Sequence, residues 1–230
     1  MATAIVDVKS FPFYETQPLK VTKEKATENR AALVNAASRL FRERGIDGVG
    51  VAEISKKAGL THGALYAQFP SKEALAAEAF TAALGPGLKK MTTDRAGRPA
   101  SLADFLDDYL SFEHRDNLAA SCPMAASASE IARQDKIVGK RFREGFEQFV
   151  ALIEGNLDAP AVNAEKRQRA LAMMAAMIGG VAASRAVAKV DPKLSNQILR
   201  AVRQFVGEIG GEKTLVDGVR DRARATKRAN

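Results

Sequence analysis

The chain has 230 residues, 46% of them hydrophobic and 27% charged, enough for a proper hydrophobic core in one large or two small domains. Its net charge of +8 is concentrated over residues 20–90, with twelve Lys/Arg against seven Asp/Glu, and over 212–230, with six against three, so a polyanionic partner is one reading and a positively charged, soluble surface the other. A single cysteine, Cys122, excludes an internal disulfide and is consistent with a reducing, cytoplasmic setting.

The first residues, MATAIVDVKSFPFYE, lack the basic start and unbroken apolar block of a signal peptide. Residues 1–22 read as a mobile arm. A first helix is expected from about Thr27, as N-cap, to Arg44, with Leu33, Ala37, Leu40 and Phe41 on one face and Gly45 as its stop. Val51–Ala58 reads as a second helix with Ile54 and Ala58 inward. Gly59 supplies a turn, Leu60 a plug, and Thr61 the cap of a third helix that buries Ala64, Leu65 and Phe69. Pro70-Ser71 opens a fourth helix with Leu75, Ala79 and Phe80 inward. This is the layout of a helix-turn-helix, which delivers one helix end to a DNA major groove.

Gly85-Pro86-Gly87 is expected to interrupt or kink the fourth helix and serves as the domain boundary. Ser101 with Asp104 forms a capping box for a helix carrying Leu102, Phe105, Leu106, Tyr109 and Phe112. Further helices are expected from Ser121-Cys122-Pro123 to Arg133, over Asp135–Leu157, over Asn163–Lys189, and from Asp191-Pro192 to Ile209, where Gly210-Gly211 ends the last one. Ile137, Phe142, Phe146, Phe149 and Ile153 form the apolar face of the second of these. The longest apolar run, Ala170 to Ala183, has 14 residues, too few to span a bilayer, and predicts a buried helix. No strand pattern is present. The predicted fold is all-α: a helix-turn-helix domain over 23–84, a helical bundle over 85–211 and a basic tail over 212–230.

Over residues 27 to about 80 the chain resembles the tetracycline-repressor (TetR) family of bacterial regulators. The resemblance rests on Ala36-Ala37 with Leu40-Phe41, Gly45, Ile54, Ala58-Gly59-Leu60, Leu65-Tyr66, Phe69, Ser71-Lys72 and Leu75. It implies a homodimer with one recognition helix per subunit and a C-terminal body whose small-molecule ligand releases operator DNA. Gly50 departs from the pattern, since the family places a Ser or Thr there as cap of the second helix.

The third helix aims its free amides outward, which favours phosphate or base-edge acceptors. Thr61 and His62 sit at that end, and Gly63 permits close backbone approach. His62 can donate to a guanine acceptor or a phosphate, or be an exposed residue without a partner. Tyr66 lies on the same side four residues on; the resemblance implies a phosphate contact through its hydroxyl, and the alternative is packing on the first helix. Lys72 matches a phosphate-clamping lysine of the family. Gln68 reaches toward the groove edge, and Thr27 completes the expected DNA-binding set.

Phe105, Tyr109, Phe112, Cys122, Met124, Phe146, Met173 and Met177 are the candidate ligand-binding residues. Such stripes are ordinarily core, and a Met-rich lining suits an adaptable, largely apolar effector. His114, beside Glu113, Arg115 and Asp116, reads as a solvated ion-pair residue. Cys122 opens a helix and is weighed both as a thiol sensor and as a buried structural residue. The dimer interface is expected at Ala176, Gly180, Ile198, Val202 and Phe205, from two helices per subunit meeting about a two-fold axis. No nucleophile elbow, phosphate loop or metal-ligand spacing suggests an enzyme, a metal or a cofactor. The sequence therefore predicts a ligand-responsive, homodimeric DNA-binding repressor without membrane association. A Cys122 redox regulator and an effector-free architectural DNA binder are the alternatives.

Overall fold

A computed structural model describes residues 22–94, 96–157 and 163–211. The predicted arm, the basic tail and the Pro160 connection lie outside these residues, apart from Thr22. Ten α-helices follow in order: α1 (Lys23–Arg44), α2 (Val51–Lys57), α3 (His62–Gln68), α4 (Lys72–Thr92), α5 (Leu102–Tyr109), α6 (Phe112–Asp116), α7 (Pro123–Ile131), α8 (Lys136–Gly155), α9 (Asn163–Val187) and α10 (Pro192–Gly210). A 3-10 turn at Leu118–Ala120 joins α6 to α7. The described residues contain no strand, only the isolated bridge Thr93–Pro99. The fold is all-α, as predicted.

Local side chains set most helix starts. Thr61, Ser71 and Asp191 each accept from the backbone N–H three residues on, and Ser101 with Asp104 forms the reciprocal capping box. Gly45 (φ 78°) and Gly211 (φ 90°) take left-handed-side backbone angles at the ends of α1 and α10. The first helix starts earlier than expected. Thr22 is its cap, and Thr27 lies one turn inside, its hydroxyl donating to the Lys23 carbonyl.

α4 continues through Gly85-Pro86-Gly87. Ala82, whose carbonyl Pro86 cannot serve, is exposed, so water can take the place of the lost bond. The helix carrying Phe105 instead ends at Tyr109. Ser111 divides it from α6: its hydroxyl donates to the Asp108 carbonyl and accepts from the His114 N–H.

Two cores result. The N-terminal one gathers Leu33, Ala37, Leu40, Ile54, Leu65, Phe69 and Leu75, and it also takes Val138 from α8. The body core gathers Leu84, Leu106, Met124, Phe149, Met173, Met177 and Leu199, with Phe80 of α4. α4 thus serves both. Polar ties reinforce the junction. Arg42 donates to the Ala119 carbonyl of the 3-10 turn, at 2.9 Å from Nε, and Glu130 of α7 accepts the Asp47 N–H at 2.9 Å. Ile137, expected on the apolar face of α8, is exposed.

α9 is long and apolar enough, by length and composition, to cross a membrane, because the helix extends well past the 14-residue run. Ala170, Met173, Met174, Met177 and Val181 on one of its sides are buried in the body core, as expected for a core helix.

Candidate nucleic-acid interface and effector cleft

α3 is seated by residues around it. Leu65 and Phe69 are buried, and Leu60 packs beside them from the turn. Arg30 of α1 holds the far end: its guanidinium stacks on the Phe69 ring at 4.1 Å, donates to the Gln68 carbonyl at 2.6 Å and pairs with Glu78 of α4. This clamp is not evident from the sequence, because its partners are 38 and 48 residues apart.

The opposite side of α3 is open. Thr61, His62, Gly63 and Tyr66 are exposed, and Gln68 and Lys72 are half-buried beside them. Tyr66 is 49% exposed and does not sink against α1; its ring meets His62 edge-on at 5.1 Å. No side chain nearby would obstruct a Cβ at Gly63. The six residues from Thr61 to Lys72 therefore cluster. Thr27 is exposed in the first turns of α1, one turn before Arg30, and Thr22, not Thr27, has the capping role.

A small cleft of about 40 Å³ lies between α4, α5 and the segment His114–Pro123. Of the eight expected ligand-binding residues, Phe105, Tyr109 and Cys122 line it. Met124, Met173 and Met177 are fully buried core instead, and Phe146 packs on Phe142 with ring centroids 6.3 Å apart. Phe112 is excluded by geometry: it begins the separate helix α6, is 41% exposed, and lies beneath the guanidinium groups of Arg115 and Arg200.

His114 corrects the solvated reading. It is half-buried, lines the cleft, stacks on Tyr109 at 4.8 Å, and its Nε2 accepts the Cys122 N–H at 3.3 Å. Burial, reinforced by the Arg185 cation, pushes its pKa down to about 4. Its charged neighbours in sequence concealed this, because in a five-residue helix one side chain can turn inward between exposed ones. Leu84, Pro86, Gly87 and Phe149 supply further walls that the sequence did not single out.

Cys122 is the N-cap of α7 and only 8% exposed. Burial pushes its thiol pKa up, outweighing the Tyr109 hydroxyl and the backbone N–H groups of Ala125 and Met124 that favour a thiolate. The low-pKa, accessible thiol expected of a sensor is not what this site provides. Among the described residues no cluster of His, Cys, Asp and Glu could hold a metal ion.

The expected dimer residues divide. A Cβ at Gly180 would lie 2.9 Å from Cγ2 of Val202 in the same chain, so these two form the α9–α10 contact within a subunit. Ala176 packs against the body core. Ile198 is half-buried, and Phe205 is 54% exposed. The outward strip of α9 is Ala172, Ala175, Gly179, Ala182, Ala183 and Ala186, with Leu194 and Phe205 exposed on α10.

Residues 33–79 match the family model for bacterial regulatory proteins of the tetR family. Over these residues the chain carries an N-terminal segment of the tetR type. Over 54 residues the chain is 44% identical to the HTH-type transcriptional regulator TtgR of Pseudomonas putida, a match covering 24% of this chain and 26% of TtgR. The chain thus spans about a quarter of that relative's length. A longer match, to the HTH-type transcriptional regulator LmrA of Bacillus subtilis, is 25% identical over 161 residues, 66% of this chain and 84% of LmrA. In fold the chain is similar to the reduced form of Escherichia coli NemR, with a TM-score of 0.64 and 19% identity over 79% of this chain and 96% of that one.

Proposed function

We propose that this chain is a DNA-binding transcriptional regulator, acting as a homodimeric repressor that a small effector releases from its operator. The observation that carries the reading is the uncovered amino end of α3, where Thr61, His62, Gly63 and Tyr66 stand clear of their own protein. In this reading His62 reads a base edge, while Tyr66 and Lys72 hold phosphates and Gln68 lies at the groove edge. Lys56 and Lys57, exposed on α2, add long-range attraction.

Two subunits would pair through the small-residue strip of α9 and the exposed Leu194 and Phe205 of α10. Effector binding in the cleft would shift α4, whose Leu84, Pro86 and Gly87 form one wall, and would disturb the segment that Arg42 ties to α1. Both routes would change the spacing of the recognition helices, to which operator affinity is sensitive.

Selection of bound sequences from random duplexes, followed by binding measurements across a salt series, tests the proposal. Lys72→Ala is expected to weaken operator and random DNA alike and to reduce the salt slope by about one. His62→Ala is expected to relax preference at one operator position by about 1–3 kcal/mol. A chain that selects no sequence, or a His62→Ala that weakens operator and random DNA equally, refutes the readout.

A further inference from the structure

One polar atom of the cleft wall, and one behind it, are left unsatisfied by the fold itself. Tyr109 is 3% exposed and lines the cleft, yet its hydroxyl meets no oxygen or nitrogen acceptor and has only the weakly accepting Cys122 thiol beside it. Near it, Arg185 of α9 donates through Nε to the Arg115 carbonyl at 2.8 Å and through Nη2 to the His114 carbonyl at 3.1 Å, leaving Nη1 buried and unpartnered. No carboxylate lies within ion-pair distance of Arg185 among the described residues; Asp116 is engaged by Arg115 at 2.7 Å. The carboxylate on the cleft wall, Asp108, is held by Lys90 at 2.7 Å. His114 is neutral near pH 7 and offers no counter-charge.

Buried donors without acceptors are uncommon, and a buried guanidinium with no anion is costlier still. A carboxylate supplies what both lack: an acceptor for the hydroxyl and negative charge near the guanidinium. The other walls are apolar, with Leu84, Pro86, Phe105 and Phe149 facing the space. We propose that the cleft takes a small organic carboxylate, its apolar body against Phe105 and Phe149 and its carboxylate accepting the Tyr109 hydroxyl proton in the field of Arg185. The inference rests on reading this cleft as the effector site, and it replaces the largely apolar effector predicted from the sequence by an amphiphilic anion.

Titration calorimetry on the full chain tests it, using benzoate, phenylacetate and hexanoate against their neutral amides. At least one carboxylate should bind ten times more tightly than its amide or better. Tyr109→Phe removes one oxygen and leaves the ring packing; it should cost about tenfold in carboxylate affinity, leave amide affinity unchanged, and keep the melting temperature at or above that of the parent. Amides that bind as well as carboxylates overturn the proposal, as does a series in which no carboxylate binds at millimolar concentration. Carboxylate binding indifferent to Tyr109→Phe places the anion elsewhere on this basic chain and also overturns it. Release of selected DNA by a neutral compound would leave the effector reading standing while this proposal falls.

Discussion

His114 shows how one side chain can tie stability to acidity. Its pKa is depressed to about 4 in the fold, against about 6.5 in an unfolded chain. The unfolded state therefore binds the extra proton first. The neutral imidazole contributes its full share of stability above about pH 6.5, and that share is lost as pH falls from there toward 4, up to about 3 kcal/mol in total. Urea denaturation between pH 7 and pH 4.5 should show the parent losing stability more steeply than His114→Gln. Parallel pH dependences for the two chains would mean that the imidazole titrates normally.

Between elements, the tightest crossing lies where α8 meets α4. A Cβ on Gly145 would come within 2.2 Å of Leu84 Cδ1 and 3.3 Å of Met124 Cε. Gly145→Ala improves helix propensity but overfills this point, and the overpacking should win by about 1–3 kcal/mol. Adding Leu84→Ala removes the clashing methyl groups, so the double variant should lose less than the sum of the two single ones in denaturant titrations. Helix starts such as Thr61, Ser71, Ser101 and Asp191 were legible in the sequence because each cap acts within three or four residues. The continuation of α4 was not, since it depends on Ala82, whose carbonyl Pro86 leaves unserved, being on the exposed side of the helix. The facing of α9 was equally hidden: alanine, glycine and methionine occupy all its sides, and no periodicity separates the side toward Val202 from the side left open.

At the level of the whole molecule, the exposed cluster at α3 was legible because it lies on one short motif, whereas the cleft required residues from α4, α5, α6 and α8 to converge. His114 and Phe149 carry no local signature of that convergence. Assembly is the property to test at this scale. Phe205 is exposed next to the small-residue strip of α9, so Phe205→Asp should shift sedimentation from dimer to monomer and weaken binding to a two-half-site duplex far more than to a single half-site. Its melting behaviour at high dilution, where the proposed dimer of the parent would also be dissociated, should stay close to the parent's.

Val138 belongs to α8 yet is completely enclosed within the N-terminal core, with Ile131 of α7 packed beside it. The headpiece therefore borrows a methyl-bearing plug from a helix encoded some 45 residues after α4 ends. A fragment cut after Thr92 would be left with an open socket, and a chimera grafting this head onto a relative's body would inherit whatever plug that relative happens to carry. Matching the pair at positions 131 and 138, and not only the splice point, is what such an exchange has to respect.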